Sequence, residues 1–185
     1  MLTSGHIFCG GGGDTEGAIA AGYKPIWAVE NDPYAAAVYR KRFPGARLIE
    51  QDIRTITGDF ILGLPTPDIT IFGSPCPDFS LAGERNGLAG VRGQLFFEGL
   101  RFLRLQRSSA FVFENVDGLL SADKATAFPQ VIQAFTSLGY RCTWQLRNGN
   151  RHAPQNRERI FVVGYYGGGQ GDTAQANKEI FAGNF

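Results

Sequence analysis

Residues 25–43 read PIWAVENDPYAAAVYRKRF: an apolar strand that ends on an acid, Glu30, and turns at once into a helix. Asp32 offers a side-chain oxygen to the orphan N–H groups of a first turn and Pro33 suits the first helical position, so a helix is predicted to about Phe43. The flanks repeat this strand-then-helix unit. Upstream, GHIF (5–8) is a short strand running into four glycines, and DTEGAIAAGY (14–23) has helical apolar spacing with Gly22 near its end. Downstream, ARLIE (46–50) and DITIFG (68–73) read as strands, a polar, glycine-spotted loop covers 74–93, and a helix runs from about 94 to 106. The strand AFVFEN (110–115), a helix near 124–138 and the strands YRCTWQLR (140–147) and RIFVVGYY (159–166) complete the series. Continuous apolar strands alternating with helices predict an α/β fold, a mostly parallel sheet with helices on both faces. Beyond residue 166 the apolar pattern is lost, which divides the chain into a domain over 1–165 and a C-terminal extension over 166–185.

Composition narrows the class. At 185 residues the chain suits one domain, and 43% hydrophobic against 19% charged residues argues against disorder. No apolar stretch approaches the roughly 20 residues of a membrane span, and the N-terminus lacks the basic start and small-residue site of a signal peptide, so a cytoplasmic location is expected. Three cysteines, Cys9, Cys76 and Cys142, stand far apart with only His6 and His152 to help them, which supports neither a disulfide framework nor a metal site. Net charge of +1 conceals an asymmetry: residues 1–80 carry −3 and residues 81–165 carry +5. A solvated surface explains such an excess as readily as a phosphate-binding face does.

In open α/β sheets, ligands sit beyond the carboxyl ends of the strands, near the point where strand order reverses. The chemically suggestive residues fall at such ends: Gly10 to Gly13 after the first strand, Glu30 on the second, Cys76 after the fourth, Glu114 and Asn115 on the fifth. The glycines permit close approach to a ligand beside a helix N-terminus, although a tight structural turn would use them too. The dinucleotide pattern G-x-G-x-x-G fails, its last position being Thr15 or Glu16 according to the start. Glu30 nonetheless stands where a ribose hydroxyl is bound in nucleotide-type sheets, which favours an adenosine-containing cofactor. Cys76, between Pro75 and Pro77, is either a small buried hydrophobe or a thiol held on a rigid loop for reaction; Cys9 and Cys142, in apolar strands, are assigned to packing. Glu114 either caps a turn, pairs with an arginine, or is buried with a raised pKa as a proton donor. Arg157 and Arg159, two apart, share a face, for surface salt bridges or for a site.

Together these stretches resemble the cytosine-C5 DNA methyltransferases, in order along most of the chain. IFCGGGGDTEGAIAAGY looks like that family's first motif, VENDPYA its second, QDI (51–53) its third, GSPCPDFSLAG with VRGQLFFE its fourth, FENV (113–116) its Glu-Asn-Val motif and QNRERIFVVGY its Gln-x-Arg-x-Arg motif. The resemblance implies a Rossmann-like methyltransferase fold and S-adenosyl-L-methionine held by Phe8, Gly10, Gly12, Gly13, Glu30, Asn31, Asp52, Ile53, Pro75 and, in a terminal Gly-Asn, Asn184. It implies Cys76 as nucleophile toward C6 of a flipped cytosine, Glu114 on N3, and Arg157 and Arg159 on the base, Arg159 at O2. Ser80, Arg92, Asn115 and Gln155 would meet the DNA substrate, as in restriction–modification enzymes. The family's Pro-Cys-Gln is Pro-Cys-Pro here, and nothing of recognition-domain size follows RERIFVVGY, so the chain looks like a catalytic core without its own sequence reader, either a minimal enzyme or one completed by a second polypeptide. A non-catalytic member, a tRNA-modifying relative and a nucleotide-dependent oxidoreductase are the other readings.

Overall fold

Asp32 and Pro33 act as their positions dictate. The Asp32 carboxylate accepts hydrogen bonds from the N–H groups of Tyr34 and Ala35 (2.9 and 2.8 Å), opening a helix that runs from Pro33 to Arg42. In the computed structural model the described residues are 1–75, 94–151 and 154–167; Cys76, Ser80, Arg92 and Asn184 lie outside them. The elements are β1 (Thr3–Ile7), α1 (Gly13–Ala20), β2 (Lys24–Val29), α2 (Pro33–Arg42), β3 (Arg47–Ile49), α3 (Gly58–Leu62), β4 (Ile69–Phe72) and α4 (Gln94–Gln106), followed by β5 (Ala110–Val116), α5 (Ala122–Ala125), α6 (Ala127–Ser137), β6 (Tyr140–Asn148) and β7 (Glu158–Tyr166).

The seven strands form one sheet in the order β3-β2-β1-β4-β5-β7-β6. Pairing is parallel from β3 through β5, and β7 runs antiparallel to both of its neighbours. The order therefore reverses between β1 and β4, which opens a crevice beyond their carboxyl ends. Alternation along each strand sends successive side chains to opposite faces. Trp27 of β2 thus joins an aromatic cluster with Phe72, Phe96, Phe111, Phe113 and Phe135 under α4 and α6, while its neighbour Ala28 packs with Cys9, Tyr39 and Phe43 under α2. The larger cluster, ring against ring at 4.2–6.4 Å among its phenylalanines, is the main core.

The expected mostly parallel sheet with helices on both faces is observed, with two local differences. Residues 58–62 form a short helix whose cap, Thr57 Oγ1, accepts from Phe60 N–H (3.2 Å); five residues are too few to carry a periodic signal. The helix expected near 124–138 is two helices, because Asp123 and Ala125 adopt positive φ (47° and 67°) and interrupt the first turn. Among the described residues no helix is long and apolar enough to cross a membrane.

Candidate active site

The loop after β1 is shaped by contacts from three sides. At its base the buried His6 ring bridges β1 and α1, with Nδ1 2.8 Å from Asp14 Oδ2 and Nε2 2.9 Å from Ser4 Oγ. Across the loop, Glu30 Oε2 accepts from the Gly10 N–H (2.8 Å) while Oε1 accepts from the N–H groups of Asn31 and Asp32 (2.9 and 2.8 Å). From outside, Arg42 donates to the Gly11 carbonyl (2.7 Å) and to Glu16 (2.8 Å). Gly12, the N-cap of α1, has φ 88° and an added Cβ there would overlap the Phe43 ring, so only glycine satisfies both the dihedral and the space. Phe8 also takes a left-handed conformation (φ 58°), which turns the chain sharply out of β1.

Beyond the ends of β1 to β4 lies a cleft lined by Phe8, Glu30, Asn31, Asp52, Ile53 and Pro75. Six residues expected at a cofactor are therefore gathered in one place, with Gly10, Gly12 and Gly13 in the adjoining loop. Val29, Gln51, Arg54 and Leu95 complete its walls and were not anticipated there. Asp52 caps the turn Ile53–Thr55, accepting from Arg54 N–H (3.0 Å) and Arg54 Nε (2.9 Å); the guanidinium and that N–H hold its carboxyl down at about 2. Nε also reaches Oδ2 (3.1 Å), so Arg54 engages both oxygens of the carboxylate.

On the other half of the rim, Glu114 Oε1 forms an ion pair with Arg159 Nε at 2.9 Å, with Arg157 Nη2 at 3.8 Å. The antiparallel register sets Arg159 opposite Val116, hence diagonal to Glu114. The two arginines do converge from one face. Burial of Glu114 is not what the structure shows: its side chain is 32% exposed and paired, the arginine partnership among the readings open from sequence. Gly73 makes this placement possible, since an added Cβ would stand 2.8 Å from Glu114 Oε2. Asn115, 2% exposed, donates to Ser74 Oγ (3.3 Å), so it acts on the backbone leading out of β4 from inside. Gln155, Arg157 and Arg159 join Asp117, Asn156 and Glu158 around a polar pocket of about 270 Å³. Asn148, unnoticed in the sequence, shapes the approach to it: its Oδ1 accepts from the N–H groups of Asn150 and Arg157 (3.1 and 3.2 Å).

The profile of the C-5 cytosine-specific DNA methylase family matches residues 2–182. The chain belongs to that family. It is 37% identical over 169 residues to the type II methyltransferase M.Bsp6I of Bacillus sp. (strain RFL6), covering 89% of this chain and 52% of that protein. To M.AquIA, a type II methyltransferase of Picosynechococcus, it is 36% identical over 172 residues, covering 85% of this chain and 69% of that protein. The chain spans about half the length of M.Bsp6I and less of others such as M.NgoFVII of Neisseria gonorrhoeae (42%). Among solved structures, the S. pombe Dnmt2 methyltransferase superposes with a TM-score of 0.70 at 18% identity, covering 97% of this chain and 54% of that one. A structure described as a DNA modification methyltransferase encoded within an E. coli prophage superposes with a TM-score of 0.78 at 24% identity, covering 98% and 50%. These two likenesses concern the fold.

C-5 cytosine-specific DNA methylases use S-adenosyl-L-methionine. The cleft has the chemistry for it. Left-handed Gly10 lies in an open stretch of the loop, the carboxylates of Glu30 and Asp52 line the cleft beside it, and Ile53, Leu95 and Pro75 add apolar surface, a set of groups that could hold the ribose and adenine of such a cofactor. Among the described residues no group of three or more His, Cys, Asp or Glu is placed to hold a metal.

Proposed function

We propose that this chain transfers a methyl group from S-adenosyl-L-methionine to C5 of cytosine in DNA, with Cys76 as nucleophile and Glu114, Arg157 and Arg159 as the groups that activate the base. The observation that carries this reading is the 2.9 Å contact between Glu114 and Arg159 on the same sheet rim as the cleft of Phe8, Glu30 and Asp52. A carboxyl and a guanidinium side by side match the N3 and O2 edge of a cytosine.

Cytosine C5 is a weak nucleophile, and adding a thiolate to C6 places electron density on C5. Bound S-adenosyl-L-methionine supplies an electrophilic methyl group on a sulfonium. Glu114 holds N3 and Arg159 holds O2, so charge that leaves the C5–C6 bond is stabilised as the Cys76 sulfur bonds to C6. Loss of the C5 proton then lets the C6–S bond break and returns the thiol. The two other cysteines are poor competitors for this part. Burial pushes the Cys142 thiol up to about 11 and the Cys9 thiol higher still, Cys9 being 4% exposed, so neither forms thiolate near neutral pH. The base must leave the duplex stack to reach these groups, at a cost of roughly a few kcal/mol. Ser80, Arg92 and Gln155 are assigned to the nucleic acid, and Asn184 to the cofactor.

Reading of a particular DNA sequence is assigned to a second polypeptide or further segment, supported by the relatives having about as much chain again beyond the matched part. The decisive test is DNA carrying 5-fluorocytosine, in which fluorine blocks the loss from C5. The parent chain, with cofactor and with candidate partner proteins, is expected to form a covalent complex that survives denaturation. Cys76→Ser is expected to form none while keeping its cofactor affinity. A complex of equal yield in Cys76→Ser would remove the thiol from the reaction.

A further inference from the structure

Arg101, on the inward side of α4, uses its whole guanidinium on neighbours. Nε donates to Glu98 (2.7 Å), one turn back on the same helix, while Nη1 and Nη2 cross to the carbonyls of Ile56 (2.7 Å) and Ile53 (2.8 Å). Those carbonyls belong to the turn after β3, 45 and 48 residues away in sequence. The same helix contributes Leu95 to one wall of the cleft, and the same turn contributes Asp52 and Ile53 to the other. Arg101 is therefore the polar strut between two walls that no covalent connection holds at a fixed spacing. A planar fork with two donors on two carbonyls fixes orientation as well as distance, which a lysine cannot do. Glu98 supplies the opposing charge and keeps the fork aimed; both side chains are about one-quarter exposed, at 23% and 24%.

We propose that Arg101 is a positioning residue for S-adenosyl-L-methionine, setting the width of the cleft on its adenine side through Ile53 and Leu95. The inference rests on the reading that this cleft is the cofactor site. A preformed cleft binds without having to order its own walls, and that advantage is lost when the strut is removed. The effect belongs to the adenosine half of the ligand, because Ile53 and Leu95, on the two elements that Arg101 braces, are apolar groups suited to a flat adenine ring rather than to a charged amino acid.

The test is calorimetric titration of the parent chain, Arg101→Met, Arg101→Lys and Arg104→Met with S-adenosyl-L-methionine and with 5′-methylthioadenosine, which keeps the adenosine and lacks the amino acid. Arg104 is exposed on the same helix and serves as the control. Arg101→Met is expected to bind both ligands at least fivefold more weakly than the parent, Arg101→Lys at least threefold, and Arg104→Met within twofold. A merely structural arginine would lower the melting temperature and leave the affinity of the folded protein unchanged. Loss below fivefold in a folded Arg101→Met overturns the proposal, as does a loss confined to S-adenosyl-L-methionine. Should Arg101→Met not fold, a loss below threefold in Arg101→Lys does the same. No binding of either ligand by the parent overturns the cofactor site together with the inference, an outcome distinct from all the others.

Discussion

Glu114 is placed by two segments: Arg157 and Arg159 at the start of β7 pair with it, and Gly73 at the exit of β4 leaves room for it. Replacing the carboxylate by an amide keeps the shape and removes the charge and the capacity to act as an acid or base. Glu114→Gln is expected to lower methyl transfer by about 10²–10⁴-fold, the usual range for a positioned acid–base group, with cofactor affinity within twofold. Gly73→Ala is a subtler probe. Its Cβ would stand 2.8 Å from Glu114 Oε2, the tip of a flexible side chain, and 3.3 Å from the Glu114 carbonyl oxygen, so the carboxylate swings away while the backbone gives by only a few tenths of an ångström and the melting temperature falls by a few degrees at most. The displaced carboxylate nonetheless loses its aim, and transfer is expected to fall about 10–100-fold, as for misplacements near 1 Å. Asp52 gives a pH signature. Arg54 holds it at about 2, against about 3.9 for an unfolded chain, so its contribution is complete above the unfolded value and vanishes as pH falls through the folded one. The melting-temperature difference between the parent and Asp52→Asn is expected to be constant above about pH 5 and to shrink below about pH 4.

At the scale of elements, α2 shows how far sequence patterns reach. Its cap, its proline and its extent were all readable, and Asp32→Ala is expected to destabilise by about 1 kcal/mol, checked by denaturant titration. Residues whose type and place at a strand end go together were readable in position for the same reason: Glu30 and Asp52 line one cleft, and Glu114 pairs with Arg159. Arg42, Arg101 and Asn148 were not, because their partners are largely main-chain groups, which every sequence supplies. Only the folded geometry says which carbonyl or N–H they meet. The break between α5 and α6 was equally hidden, since alanine at position 125 carries no sign of its positive φ. Strand direction lies between these cases. The nine residues between β6 and β7 are too few for a helical crossover, which needs roughly a dozen or more, so the antiparallel turn was implicit in the spacing.

For the whole molecule, the sheet's rim divides the work. The cleft proposed for the cofactor lies beyond β1 through β4, and the acid with its arginines belongs to β5 and β7. Saturation with S-adenosyl-L-methionine at about 100 times its Kd contributes roughly 2.7 kcal/mol, which for a chain of this size raises the melting temperature by about 5–10 °C. Equal NAD is expected to raise it by less than about 1 °C, and the reverse ranking would return the fold to nucleotide oxidoreduction. The reversed strand adds a constraint on attachment. Because β7 enters at the functional rim with Arg159 and leaves at Tyr165, paired with Ala110 at the start of β5, the chain exits on the opposite edge of the sheet. Six residues at about 3.3 Å each make that roughly 20 Å. Any segment after Gly167 that acts at the rim, Asn184 in its proposed cofactor contact included, has to span that height again, whereas a separate polypeptide docking at the rim does not.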